Sequence, residues 1–179
     1  MLPQTHTEGP TMDFLTYEEA RDTIEDGDII FFASPMTPLN PIQCLIILIT
    51  GSPLTHCNIA FWATIGGQRR LLGVEAQGFS NRRIINESFY SGRKLLVVKA
   101  PKPWSGMADD ALAKIAIKDY GYFTAMYAGL RDAFAHWFGV RLPAFKNPGE
   151  ICSEFVAREI GLDDTDISPG NLYKTLTRK

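Results

Sequence analysis

Thr55-His56-Cys57-Asn58-Ile59-Ala60-Phe61-Trp62-Ala63-Thr64-Ile65, then Gly66-Gly67, then Arg70-Leu71-Leu72-Gly73-Val74-Glu75-Ala76-Gln77: two runs rich in β-branched, aromatic and aliphatic residues meet at a double glycine. Gly-Gly supplies the positive φ that a tight two-residue hairpin turn needs, so the stretch reads as an antiparallel β-hairpin. A turn centred on Gly66-Gly67 sets Asn58 opposite Glu75 and places His56 diagonally across from Glu75 on the same face. Cys57 alternates with His56 and is expected on the opposite face.

Further strands flank this hairpin. Asp28-Ile-Ile-Phe-Phe-Ala33 is a compact run of strand length, and Lys94-Leu-Leu-Val-Val-Lys99 is another, ended by Pro101 and Pro103. Residues 82–85 read as either strand or loop. Helices surround the strands. Thr16 with Glu19 three residues on forms a capping box for a short helix to about Glu25. Asn40-Pro41 caps an apolar helix over residues 42–50, which Gly51 stops. Helical spacing recurs over residues 108–119 and 125–138. Asn147-Pro148 and Glu150 predict a helix from about Pro148 to Ile160, stopped by Gly161, and Ser168-Pro169 starts a last short helical turn. Strands followed by helices without βαβ alternation indicate an α+β domain. Residues 1–12 read as a loose tail and residues 13–179 as a single domain.

Composition narrows the function classes. The 179 residues carry 18 Lys plus Arg against 20 Asp plus Glu, a formal net charge of −2 and a pI near 5.9, so no basic surface for nucleic acid is expected. The longest apolar run, Cys44 to Ile49, falls far short of the roughly 20 residues that span a bilayer. The first fifteen residues lack a basic cluster followed by an apolar stretch, so no export signal is expected and a cytoplasmic location is the simplest reading. Three cysteines, Cys44, Cys57 and Cys152, fit neither a disulfide framework nor a zinc ribbon.

One of those thiols is placed for chemistry. Cys152 falls in the first turn of its expected helix, where unpaired backbone N–H groups and the positive dipole end favour a thiolate and could hold an oxyanion. His56, opening its strand after Gly51-Ser52-Pro53, is the candidate base. His6 lies in the tail, and His136 beside Trp137 and Phe138 reads as a packed helix residue. Glu75 is the first candidate to orient the imidazole, with Asn58 and Gln77 as alternatives, which gives Cys-His-acid logic. Cys44 and Cys57 read as core residues. Zinc needs a fourth ligand beyond His56, Glu75 and Cys152, so no metal and no cofactor is expected.

These pieces together resemble a known family. Gly27-Asp28-Ile29 is similar to its GDI strand, Thr55-His56-Cys57-Asn58-Ile59 to its His strand, Val74-Glu75-Ala76 to its acid strand, and Ile151-Cys152-Ser153-Glu154-Phe155-Val156 to its Cys helix. Ser168-Pro169-Gly170-Asn171-Leu172 resembles the element that follows that helix, and Asp119-Tyr120-Gly121-Tyr122 the aromatic segment before it. The family is the circularly permuted NlpC/P60 papain-like group, with its YiiX/YebB-like and lecithin-retinol-acyltransferase-like branches, and the order His, acid, Cys is the permuted one. The resemblance covers residues 27–173. It implies a papain-like fold, a Cys152 nucleophile, a His56 base, a Glu75 orienter and an oxyanion or substrate contact from Tyr120, although Gly121 stands where the family often has Asp. It implies a cysteine hydrolase or acyltransferase acting on an amide or ester carbonyl, with small peptides favoured as substrates. Acyl lipids, or a catalytically silent peptide- or lipid-binding module, are the alternatives. Oligomeric state is not legible.

Overall fold

A computed structural model describes residues 12–35, 44, 47–48, 50–77, 80–113, 115, 131, 134–135, 137–140, 143, 151–162 and 167–178. Helix α1 (Tyr17–Ala20) starts at the Thr16 capping box, where Glu19 Oε2 accepts from the Thr16 N–H at 2.8 Å, and a 3-10 turn continues it to Thr23, two residues short of the expected end. Among the described residues five strands follow: β1 (Ile29–Ala33), β2 (Leu54–Ile65), β3 (Gln68–Gln77), β4 (Ser80–Asn86) and β5 (Leu95–Val98). Residues 82–85, left open between strand and loop, are strand. All neighbours are antiparallel in the order β4-β3-β2-β1-β5, so β2 is the central strand.

The hairpin register is the expected one. Ile65 pairs with Gln68 and Ile59 with Val74, and the turn glycines sit at φ of 60° and 77°. Alternation along the strands then separates two apolar layers. Phe31, Cys57, Ile59, Phe61 and Val74 face one side, where they pack with Cys152, Phe155 and Val156. Ile30, Phe32, Ala60 and Leu71 face the other, with Tyr17, Ala20 and Tyr90.

After β5 come α2 (Ala108–Ala113), α3 (Cys152–Glu159) and α4 (Pro169–Thr177). Three expectations are corrected here. The spacing over 108–119 extends past the helix, because Ile115 forms a β-bridge with Arg82. The helix predicted from Pro148 begins instead at Cys152: Ile151 is extended at φ −102° and ψ 166°, which no helix interior allows. Glu154 reaches back to accept the Ile151 N–H at 3.0 Å, so the start is set by an acid at the third helical position and not by the Asn147-Pro148 pair. Ser168-Pro169 opens a full nine-residue helix rather than a single turn, with Ser168 Oγ accepting from the Asn171 N–H at 3.3 Å. The stop at Gly161 is where the sequence puts it, at φ 81°.

Met12, assigned to the tail, is partly buried against the core. Trp104 is half-buried and stacks on Phe61 with ring centroids 5.0 Å apart, whereas Trp137 is exposed. Cys44 is helical but half-buried, so it is not a core thiol. Cys44, Ile47, Leu48 and Thr50 are helical within the expected 42–50 segment, and Arg131, Phe134, Ala135, Trp137 and Phe138 within 125–138; the rest of both segments lies outside the described residues. Among the described residues no helix is long and apolar enough to cross a membrane.

Arg82 ties the layers together. Its side chain is fully buried, donates to the Asp110 carbonyl at 2.8 Å and pairs with Glu159 at 3.1 Å, lying over the Phe155 ring. One guanidinium thus joins the edge strand β4, the middle of α2 and the last residue of α3.

Candidate active site

Cys152 is the first residue of α3, against the opening of β2. The helical ladder begins with the Phe155 N–H bonding to the Ile151 carbonyl at 2.9 Å, so the N–H groups of residues 152–154 precede it and carry the positive end of the helix. Ser153 anchors this end by donating to the Ile167 carbonyl at 2.5 Å.

His56 is aimed by an irregularity that the sequence did not announce. β1 pairs Phe32 with His56 but Ala33 with Leu54, so Thr55 is an extra residue in β2. Such a bulge bends the strand and redirects the adjacent side chain. The Thr55 and Ser34 hydroxyls, 2.7 Å apart, pin it.

The imidazole is buried and engaged on two sides. Its Nε2 lies 2.8 Å from Glu75 Oε2, and the ring also hydrogen-bonds Cys152, for which Nδ1 is the nitrogen left. Glu75, the only charge between Leu71 and Ala76, is fully buried. Its Oε2 also accepts from the Tyr90 hydroxyl at 2.6 Å, and its Oε1 from Arg83 Nε at 2.7 Å. Arg83 stands directly across the β3–β4 ladder from Glu75. The structure therefore brings Cys152, His56 and Glu75 together. Asn58, the alternative orienter, turns to Glu87, with its Nδ2 2.6 Å from Glu87 Oε1. The Gln77 side chain, His6, His136 and Tyr120 lie outside the described residues.

Charge follows from this arrangement. Burial alone would lower the His56 pKa, but the Cys152 and Glu75 negative charges and their hydrogen bonds raise it to about 10. Burial would raise the Glu75 pKa; hydrogen bonds from His56, Tyr90 and Arg83 hold it at about 2. The Cys152 thiol is held well below its usual range, first by a hydrogen bond from the Cys57 thiol and then, against burial, by His56. At neutral pH the site is a thiolate, an imidazolium and a carboxylate. Among the described residues no group of three or more His, Cys, Asp or Glu is placed to hold a metal ion.

Three participants escaped the sequence reading. Tyr90 comes from a 3-10 turn (Glu87–Tyr90) far along the chain, and nothing local marks it. Arg83 would have followed from assigning β4 as a strand. Glu87 is fully buried beside Asn58, and burial pushes its pKa up to about 8. That last group makes a prediction. The folded state keeps the Glu87 proton while the unfolded chain loses it above its ordinary value of 4.5, so its contribution to stability falls as pH rises from 4.5 to 8. Glu87→Gln has no proton to lose and retains an acceptor for Asn58. Urea melts should show it more stable than wild type by about 3 kcal/mol at pH 7, with the gap closing towards pH 4.5.

No protein-family model matches the chain, and a search of curated proteins finds no match.

Proposed function

We propose that the protein is a cysteine hydrolase or acyltransferase of the permuted NlpC/P60 papain-like kind, acting on an amide or ester carbonyl, with small peptides as the favoured substrates. One observation supports this most: a single imidazole lies between the thiol at the first residue of α3 and a buried carboxylate. The proposed cytoplasmic setting suits a nucleophile that must stay reduced.

The Cys152 thiolate attacks the carbonyl carbon, and the N–H groups at the start of α3 face the oxyanion that develops. His56, as imidazolium, passes its proton to the departing amine or alcohol, leaving a thioester on Cys152. Neutral His56 then takes a proton from water or an acceptor nucleophile, which attacks the thioester and releases the thiolate. Glu75 keeps Nε2 engaged throughout, so Nδ1 always faces sulfur, and Tyr90 and Arg83 hold Glu75 in turn.

Incubation with peptidyl and fatty-acyl thioesters, followed by mass spectrometry, tests the reading. A covalent acyl group is expected on Cys152 and is lost in Cys152→Ala, with the peptidyl probe reacting faster. Faster reaction of the lipid probe would reassign the substrate class; acylation no greater at Cys152 than at Cys44 would reject the enzyme reading and leave a binding module.

A further inference from the structure

Acyl transfer in this site uses one thiol, yet a second lies against it. Cys57 is fully buried on the helix-facing side of β2, in the same apolar cluster as Cys152, and both sulfurs are free. Cys57, through its thiol and its backbone N–H, is the neighbour that most lowers the Cys152 pKa, and Cys152 in turn raises that of Cys57. Valine or alanine would fill a small apolar strand position equally well. A thiol instead puts a second sulfur in the apolar cluster that holds the nucleophile.

We propose that Cys57 and Cys152 form a redox site in which Cys57 resolves oxidation of the nucleophile by a hydroperoxide, reversibly closing the enzyme. The proposal rests on Cys152 being the reactive thiolate. In the first step that thiolate attacks the terminal peroxide oxygen. An S–O bond forms and the O–O bond breaks; sulfur is oxidised by two electrons to the sulfenic acid and the peroxide is reduced. The departing alkoxide or hydroxide takes the His56 proton. In the second step the Cys57 sulfur attacks the Cys152 sulfur, an S–S bond forms, the S–O bond breaks, and hydroxide leaves with the Cys57 proton as water. The disulfide removes the nucleophile but protects it from irreversible over-oxidation, and an external dithiol restores both thiols.

Burial keeps Cys57 protonated at neutral pH, so the resting state is one thiolate hydrogen-bonded by one thiol and only Cys152 meets peroxide as a nucleophile. Cys44, half-buried in a different segment, serves as an internal control.

The test compares wild type with Cys57→Ser, which keeps a hydroxyl donor, and with Cys57→Ala. Each is treated with hydrogen peroxide, then with or without dithiothreitol, and labelling of Cys152 by iodoacetamide is mapped by mass spectrometry. In wild type, peroxide should abolish the labelling, dithiothreitol should restore it, and a peptide pair joining Cys57 to Cys152 should appear. In both variants recovery should fall by about tenfold or more, with Cys152 found as sulfinic acid. Recovery in the variants equal to wild type, or loss in wild type that dithiothreitol does not reverse, overturns the proposal. If Cys152 fails to label before any peroxide is added, the thiolate reading falls first and this one with it.

Discussion

Replacing His56 with alanine should lower the reactivity of Cys152 at low pH about tenfold. In the wild-type protein the thiolate is paired with an imidazolium whose pKa is raised to about 10, so iodoacetamide labelling should stay fast and nearly flat from pH 8 down to pH 5. Without the imidazolium the thiol keeps the Cys57 contribution but loses that of His56, so its pKa rises and less of it is thiolate at low pH. Part of that loss is offset because a more basic thiolate is intrinsically more nucleophilic, leaving roughly a tenfold drop in labelling rate. Acyl transfer should suffer far more, by about 10³ or greater, because the same residue also protonates the leaving group. Labelling rates against pH for both proteins, with Cys44 as the reference thiol, measure the difference. A flat profile in His56→Ala, or an ordinary profile in wild type, would remove the dyad.

Gly73→Ala should cost about 1–3 kcal/mol, the usual range for an overfilled core. Gly73 lies in β3 opposite Ala60 and Ile85, and a β-carbon there would run into Glu87 Oε1 and the Asn58 amide. Both side chains must shift to admit it, and the shift costs because both are fully buried and hydrogen-bonded to each other on the face that also carries His56 and Glu75. The strand glycine thus reserves room for the amide–carboxyl pair behind His56 and Glu75. Chemical denaturation measures the loss. A Gly73→Ala/Glu87→Ala double variant should recover part of it, since one of the two obstructions is gone while Asn58 remains. A cost below about 1 kcal/mol for the single variant would mean that the pair has somewhere else to go.

Legibility in the sequence tracked how local each determinant is. Gly66-Gly67 sits between its two strands, so the register, and with it the diagonal from His56 to Glu75, could be read without any tertiary information. The bulge at Thr55 depends on how β2 meets β1, and no residue near it declares an extra position. The start of α3 was legible but misread: Asn147-Pro148 matches a familiar cap, while the deciding residue, Glu154, reaches back to a backbone N–H at Ile151, whose own side chain accepts nothing. Alternation put Cys57 on the face opposite His56 and in the core, yet alternation says nothing of what packs onto a face, and there it met Cys152. Tyr90 and Glu87 arrive through a chain reversal after β4, and long-range placement of that kind leaves no periodic trace.

The buried guanidinium of Arg82 acquires another meaning once α3 is seen as a rod. Eight residues make it about 12 Å long, with the sulfur at one tip and Glu159 at the other. The far tip is clamped to the sheet margin and to α2, so the placement of the Cys152 sulfur depends in part on contacts at the opposite end of the helix. Shortening or reshaping that clamp, as in Arg82→Lys, would let the rod swing about its middle and would spoil alignment with His56 while every reacting group stayed present. If the proposed enzyme reading holds, Arg82→Lys would lower turnover from a position a helix-length away from Cys152.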